Sequence, residues 1–243
     1  MNDDGHIFFY NLISSYNLKQ IGGYMNQMII VGPTYSVEGR ELRLYRGPYS
    51  EQGFFKNILD MGIKMFWDCR LAHNKVFFFT ITLKCPVAST GMQSDNELMR
   101  RFCQEMYRQL SCMGYDPAYF WVRERDISIH NHYHLALWLN GSLTQHPEHS
   151  IEVIKSLWEK FVGIPGCVHY YNAYKHAVML RRNTPEHWDC FLRAFESFSY
   201  LGKVYSKELN LQLNCHHYGY SQPKVVLQYA IFPNWEIPEM YRR

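Results

Sequence analysis

Residues 132–139, His-Tyr-His-Leu-Ala-Leu-Trp-Leu, alternate in a pattern that an extended strand sorts onto two faces. Successive side chains of a strand point in opposite directions. His132 and His134 therefore share one face, while Tyr133, Leu135, Leu137 and Leu139 build an apolar face opposite. Asn140-Gly141 then signals a turn. Residues 119–126 also read as a strand, with 127–131 as a turn, so the two strands are expected to form an antiparallel hairpin.

The other elements follow from hydrophobic spacing. Phe54, Phe55, Ile58, Leu59, Ile63 and Phe66 predict a helix over 51–69, and the β-branched and aromatic run VFFFTITL predicts a buried strand over 76–83. Leu98, Phe102, Met106 and Leu110 recur every four residues, which predicts a helix over 94–113 capped by Ser94 or Asp95. Further helices are expected over 150–162 and 188–209, a strand over 167–171, and an edge strand over 225–231. Adjacent strands among helices give an α+β class: a central antiparallel β-sheet flanked by helices. The expected organisation is an extension over 1–50 packing on the core, one domain over 51–222, and a tail over 223–243.

Composition sets limits on the partners. Apolar residues make up 47% of the 243, enough for a sizeable core, and the 19 Tyr and 15 Phe mostly belong in it. A net charge of +3 fits local contact with phosphates rather than the coating of a duplex. Seven scattered cysteines without a CxxC pair, and a polar start at Met1 to His6, lead to the expectation of reduced thiols in a cytoplasmic protein. No apolar run reaches the ~18 residues of a membrane span, so no membrane partner is expected.

The chemistry concentrates in three places. Paired imidazoles on one strand face suit a metal, although with 12 His in 243 residues chance alone supplies about 0.6 His-x-His spacings. Glu124, at the end of the preceding strand, is placed to add a carboxylate; Asp126 competes for that role. Two imidazoles and a carboxylate suit Mg²⁺ or Mn²⁺ with open positions, and Zn²⁺ also fits. On the expected helix over 188–209, Tyr200, Lys203 and Lys207 fall in one stripe at i, i+3 and i+7. A phenol needs neighbouring positive charge to act as a nucleophile, and Lys203 sits one turn away. Taken alone, the histidine pair and the Tyr200–Lys203 stripe are better explained as structural side chains, and Glu124 is as well explained by an exposed charge.

Taken in order, Phe79-Thr80-Ile81-Thr82-Leu83, Glu124, His132-Tyr133-His134 and Tyr200-x-x-Lys203 resemble the HUH endonucleases (His-hydrophobic-His). Ser199-Tyr200-Leu201-Gly202-Lys203-Val204, with the strand HYHLALWLNG, is similar to the inovirus-type replication endonucleases, grouped with the YagK/YfjJ C-terminal domains of prophages and satellite elements. The resemblance spans roughly residues 70–210. It implies a sheet carrying both histidines, a nucleophilic tyrosine on a nearby helix, and Mg²⁺ or Mn²⁺ held by His132, His134 and a carboxylate. It also implies attack by Tyr200 on a scissile phosphate, leaving a 5′-phosphotyrosyl link and a free 3′-OH. Thr80 and Thr82 match the family's first motif, near the site.

Val204 stands where two-tyrosine initiators carry their second tyrosine, and Tyr205 would project ~140° round a helix from Tyr200. A single-tyrosine mechanism is therefore expected, with Tyr170 and Tyr174 as second choice for the nucleophile. Arg123, Arg125, Lys175 and Lys207 are candidates for DNA-backbone contact. His130-Asn131-His132 spells HNH by coincidence, and Cys215-His216-His217 reads as a surface turn. The expected function is nicking of single-stranded DNA, at an origin or hairpin, to initiate rolling-circle-type replication. A single-tyrosine transposase, a non-catalytic DNA-binding protein and a water-using metal hydrolase are the alternatives. No GxxxxGK[ST] loop is present, so unwinding would need a partner such as a host helicase.

Overall fold

The computed structural model describes residues 28–37, 39–85, 96–125, 131–205 and 216–222. Two short elements lead: β1 (Ile29–Ile30), and a hairpin of β2 (Thr34–Val37) and β3 (Arg40–Arg43). Then come β4 (Phe54–Phe55), α1 (Lys56–Ala72), β5 (Lys75–Lys84), α2 (Glu97–Cys112), β6 (Ala118–Arg125) and β7 (Asn131–Asn140). The chain continues through α3 (Glu148–Val162), β8 (Val168–His169), α4 (Tyr171–His176), β9 (Val178–Arg181), α5 (His187–Ser199) and β10 (Tyr218–Tyr220). Among the described residues, six strands form one antiparallel sheet in the order β10-β6-β7-β5-β8, with β9 pairing the start of β5 beside β8's pairing at its end.

The sheet is covered on both faces, as the continuous apolar run of β5 requires. On one face Phe78, Phe120 and Trp138 meet Phe66 of α1 and Phe191, Phe195 and Phe198 of α5. Their rings interlock edge to face: Phe66 stands 5.1 Å from Trp138 at 85° and 5.4 Å from Phe191 at 77°. On the other face Phe79, Leu135, Leu137 and Leu139 meet Phe102 and Met106 of α2 and Ile154 and Trp158 of α3. Trp158 also donates its Nε1–H to the Lys84 carbonyl at 2.9 Å, fixing the far end of β5.

The helices α1 and α5 touch where α1 carries Gly62: a Cβ there would meet the Phe198 ring at 2.0 Å. Gly62→Ala gains ~1 kcal/mol of helix propensity, but overpacking costs about 1–3 kcal/mol. A net fall in thermal stability is expected by calorimetry; an unchanged or raised Tm would show that the two helices have room to separate.

Several boundaries differ from the sequence expectation. The helix expected from residue 51 begins at Lys56, because Phe54–Phe55 pair with β1 as β4. The strand expected over 167–171 is only Val168–His169, and Tyr171 already opens α4. The helix expected over 188–209 stops at Ser199; a single 3-10 turn, Tyr200–Gly202, follows, and Lys203 is extended and bridged to Phe54. The segment before residue 51 contributes Tyr35, Leu42 and Leu44 to the core beside α1 and α5. The expected strand over 225–231, the cap at Ser94 or Asp95, residues 127–130 of the expected turn, and Asp126, Lys207 and Cys215 lie outside the described residues.

Candidate metal centre and its tyrosine

Register brings the three donors together. β6 and β7 pair antiparallel with Glu124 opposite His132 and Val122 opposite His134. Paired and alternate positions share a face, so Glu124, His132 and His134 all point to the α1–α5 side. Glu124 Oε2 lies 3.4 Å from His132 Nε2 and 3.2 Å from His134 Nε2. A cation bound at 2.0–2.2 Å from each donor needs donors roughly 3 to 3.5 Å apart, so these separations fit. Among the described residues this is the one group of His, Cys, Asp and Glu with metal-ligand spacing.

The environment favours a cation there. Glu124 is 2% exposed, a costly place for a carboxylate without opposing positive charge. The side chain of His132 is 20% exposed, so the group opens to solvent on that side. Thr82 of β5, opposite His134, places Oγ1 at 3.0 Å from His134 Nδ1. In the tautomer that leaves the Nε2 lone pair for a metal, Nδ1–H donates to that hydroxyl. Thr82→Val keeps the shape and removes the acceptor, so Mn²⁺ affinity is expected to fall about 10- to 100-fold in a calorimetric titration. Unchanged affinity would mean that the threonine orients nothing.

Tyr200 arrives beside this group because α5 is anchored by its aromatic face and ends there. Its ring centroid is 4.9 Å from that of His134, at 82°. Ser199 fastens the helix end by accepting the Tyr45 N–H at 2.8 Å and donating to the Glu196 carbonyl at 2.8 Å. The chain beyond Gly202 is then captured by β4: Lys203 bridges Phe54, and Val204 N–H donates to the Gly53 carbonyl at 3.0 Å. Lys203 is buried with Nζ 3.7 Å from the Tyr200 ring centroid and 5.8 Å from that of Tyr45. The ammonium thus reaches the phenol by a turn and a bridge, not by the helical stripe expected from i, i+3 spacing.

The other candidates scatter. Arg123 is buried, and opposite Tyr133 it faces the α2–α3 side of the sheet, away from the three donors. Strand alternation, which puts Glu124 at the site, puts its neighbour on the far face. Arg125 closes β6 opposite Asn131, and its side chain is not described. Lys175 is exposed on α4. Tyr170 and Tyr174 are exposed and pack on each other at 5.9 Å. Tyr205 stacks on Tyr49, 3.7 Å between centroids at 6°. His216 and His217 use their carbonyls, accepting from Asn96 Nδ2 and Arg123 N–H.

Three residues at the site were not legible in the sequence. Tyr45 follows the hairpin and stands edge-on to Tyr200 at 5.0 Å, 87°. Lys84 pairs with His132, and His169 of β8 pairs with Thr82 on the same face. Burial, together with the charge of Lys84, lowers the His169 pKa below its ordinary value. Only tertiary pairing assembles these groups, and no local spacing announces it.

Residues 40–221 match the family model of the YagK/YfjJ C-terminal domain. No curated protein and no solved structure gave a match. No helix among the described residues is long and apolar enough to cross a membrane.

Proposed function

The chain belongs to the YagK/YfjJ C-terminal domain family, and from that premise we propose that it is a metal-dependent, tyrosine-nucleophile endonuclease of the HUH type, acting on single-stranded DNA. The observation that carries the proposal is the juxtaposition of Tyr200 with the Glu124, His132 and His134 group at one end of the sheet. Each part has a bland explanation alone. A phenol, a buried ammonium and three metal donors converging from β6, β7 and the turn that follows α5 do not.

In this reading Glu124, His132 and His134 would hold Mg²⁺ or Mn²⁺. Such an ion, when bound, would supply positive charge to offset that of the scissile phosphate. Thr82 keeps the His134 ring turned to present Nε2. The Tyr200 oxygen attacks phosphorus in line, forming the Tyr–O–P bond as the P–O3′ bond breaks. The phenolic proton is lost to solvent and the departing 3′-oxygen takes one up, so the products are a 5′-phosphotyrosyl enzyme and a 3′-hydroxyl. Lys203, held against the ring, offsets negative charge on the phenolate oxygen and phosphate. Because the link to Tyr200 is itself a phosphodiester, a later 3′-hydroxyl can reverse the step and rejoin the strand.

The test is incubation with a randomised, end-labelled single-stranded oligonucleotide pool and Mn²⁺. A protein–DNA adduct that survives SDS and is lost with EDTA is expected. Cleavage without an adduct would point to a water nucleophile and overturn the tyrosine mechanism.

A further inference from the structure

A second concavity lies away from the metal donors, where the β2–β3 hairpin, the C-terminal half of α1 and the start of α5 meet. It measures about 660 Å³ and is floored by Phe191, walled by Trp67 and Trp188, and edged by Arg40 and Arg70. The size falls within the ~300–1,000 Å³ of small-molecule sites. Trp188 stacks on Phe191 at 5.2 Å and 21°, and Trp67 lies 6.1 Å from the same ring at 34°. The Arg40 guanidinium sits 5.0 Å over Trp188, and that of Arg70 4.9 Å over Trp67.

Two indoles, each with a guanidinium over its ring, place aromatic surface and positive charge side by side. That combination suits a planar aromatic ring carrying a phosphate. The carboxylate at the rim, Glu41, is taken up by the Thr34 and Ser36 hydroxyls, which lower its pKa. His187, also in the lining, is pushed down to about 4, by burial first and then by the charges of Arg70 and Arg182. It stays neutral near pH 7, so the charge at the pocket edge is that of Arg40 and Arg70 against the single carboxylate of Glu41. An acidic or polar peptide would use the arginines but leave the stacked indole surface without a flat partner.

We propose that this pocket binds one unpaired nucleotide of single-stranded DNA, its base packed between the Trp188–Arg40 and Trp67–Arg70 pairs and its phosphate held by Arg40 and Arg70. Two elements join the pocket to the metal donors. α5 runs from Trp188 at the pocket to its end at Ser199, about 16 Å at 1.5 Å per residue. β3 and its continuation run from Arg40 to Tyr45 against Tyr200, about 16 Å at ~3.3 Å per residue, with Arg43 exposed along the way and Arg46 exposed just beyond Tyr45. Such a span is well within the ~4–16 nucleotides that a single-strand groove covers. The path to Tyr200 rests on the nickase reading; the chemistry of the pocket stands without it.

The test uses the full chain in EDTA, so that no strand is cut, with 5′-phosphorylated hexathymidylate as probe and tryptophan fluorescence as readout. Saturable quenching is expected, weakened about tenfold or more in both Trp188→Leu and Arg40→Glu. The slope of log affinity against log salt should shrink in Arg40→Glu by about 0.7 for each phosphate that the variant no longer neutralises. Arg40→Glu alters a half-buried hairpin residue, and circular dichroism of both variants establishes folding. Photocrosslinking of a 5-bromodeoxyuridine-substituted hexamer should label the peptide containing Trp188 or Trp67. That label would appear even if Tyr200 formed no adduct with Mn²⁺, which separates this inference from the nickase reading. Absence of binding by the hexamer, crosslinks confined to the Tyr200 and His132–His134 peptides, or quenching unchanged in both folded variants would overturn it. Equal competition by an acidic peptide would also overturn it.

Discussion

Tyr200→Phe is expected to abolish the covalent protein–DNA adduct, lowering its formation on the order of 10³-fold or more. The phenylalanine ring preserves the edge-on contacts to His134 and Tyr45 and the cation over its face. Only the hydroxyl is removed, so stability should change by about 1 kcal/mol or less. The combination of full folding and no adduct separates a nucleophile from a packed aromatic. Tyr45→Phe is the matching control. The Tyr45 phenol is raised in pKa by burial, and its hydroxyl is turned toward Gly47, where a Cβ would meet it at 1.8 Å. Adduct formation should therefore survive that change. An adduct that persists in Tyr200→Phe and disappears in Tyr45→Phe would move the nucleophile to the hairpin segment.

Glu124→Gln is expected to weaken Mn²⁺ binding by about 100-fold or more, since even residues that only support a ligand cost 10- to 100-fold. Wild-type protein with Mn²⁺ at 100 times its dissociation constant gains ~2.7 kcal/mol, which raises Tm by roughly 5–10 °C for a domain of this size. In Glu124→Gln that metal-dependent rise should vanish. The metal-free variant should melt no lower than wild type, because a 2%-exposed carboxylate has been replaced by a neutral isostere. A normal metal-dependent rise in the variant would show that the two imidazoles bind without Glu124.

The strands that carry the site were legible because their patterns are local. Alternation along His132–Leu139 sorted imidazoles from leucines, and a hairpin between neighbouring strands put Glu124 opposite His132. The same alternation excludes Arg123 from that face, a consequence that grouping it with other surface charges overlooks. What stayed hidden depends on distant chain. Ser199-Tyr200-Leu201-Gly202-Lys203 has acceptable helical spacing, yet the α-helix stops at Ser199 and the 3-10 turn after it ends at Gly202, where an added Cβ would crowd Leu59 at 3.2 Å. Phe54 then captures Lys203 as a strand neighbour, some 150 residues away in sequence. β8 and β9 both pair with β5 on an edge that nothing in their short sequences identifies. Tyr45 reaches Tyr200 only because Leu42 and Leu44 are buried in the core and Ser199 fixes its backbone.

Proteolysis of the adduct formed with Mn²⁺ and mass spectrometry of the DNA-linked peptide tests the central claim most directly. The account predicts a nucleotide attached through phosphate to Tyr200. Attachment at Tyr170 or Tyr174, or strand cleavage with no nucleotide on any tyrosine, would contradict it.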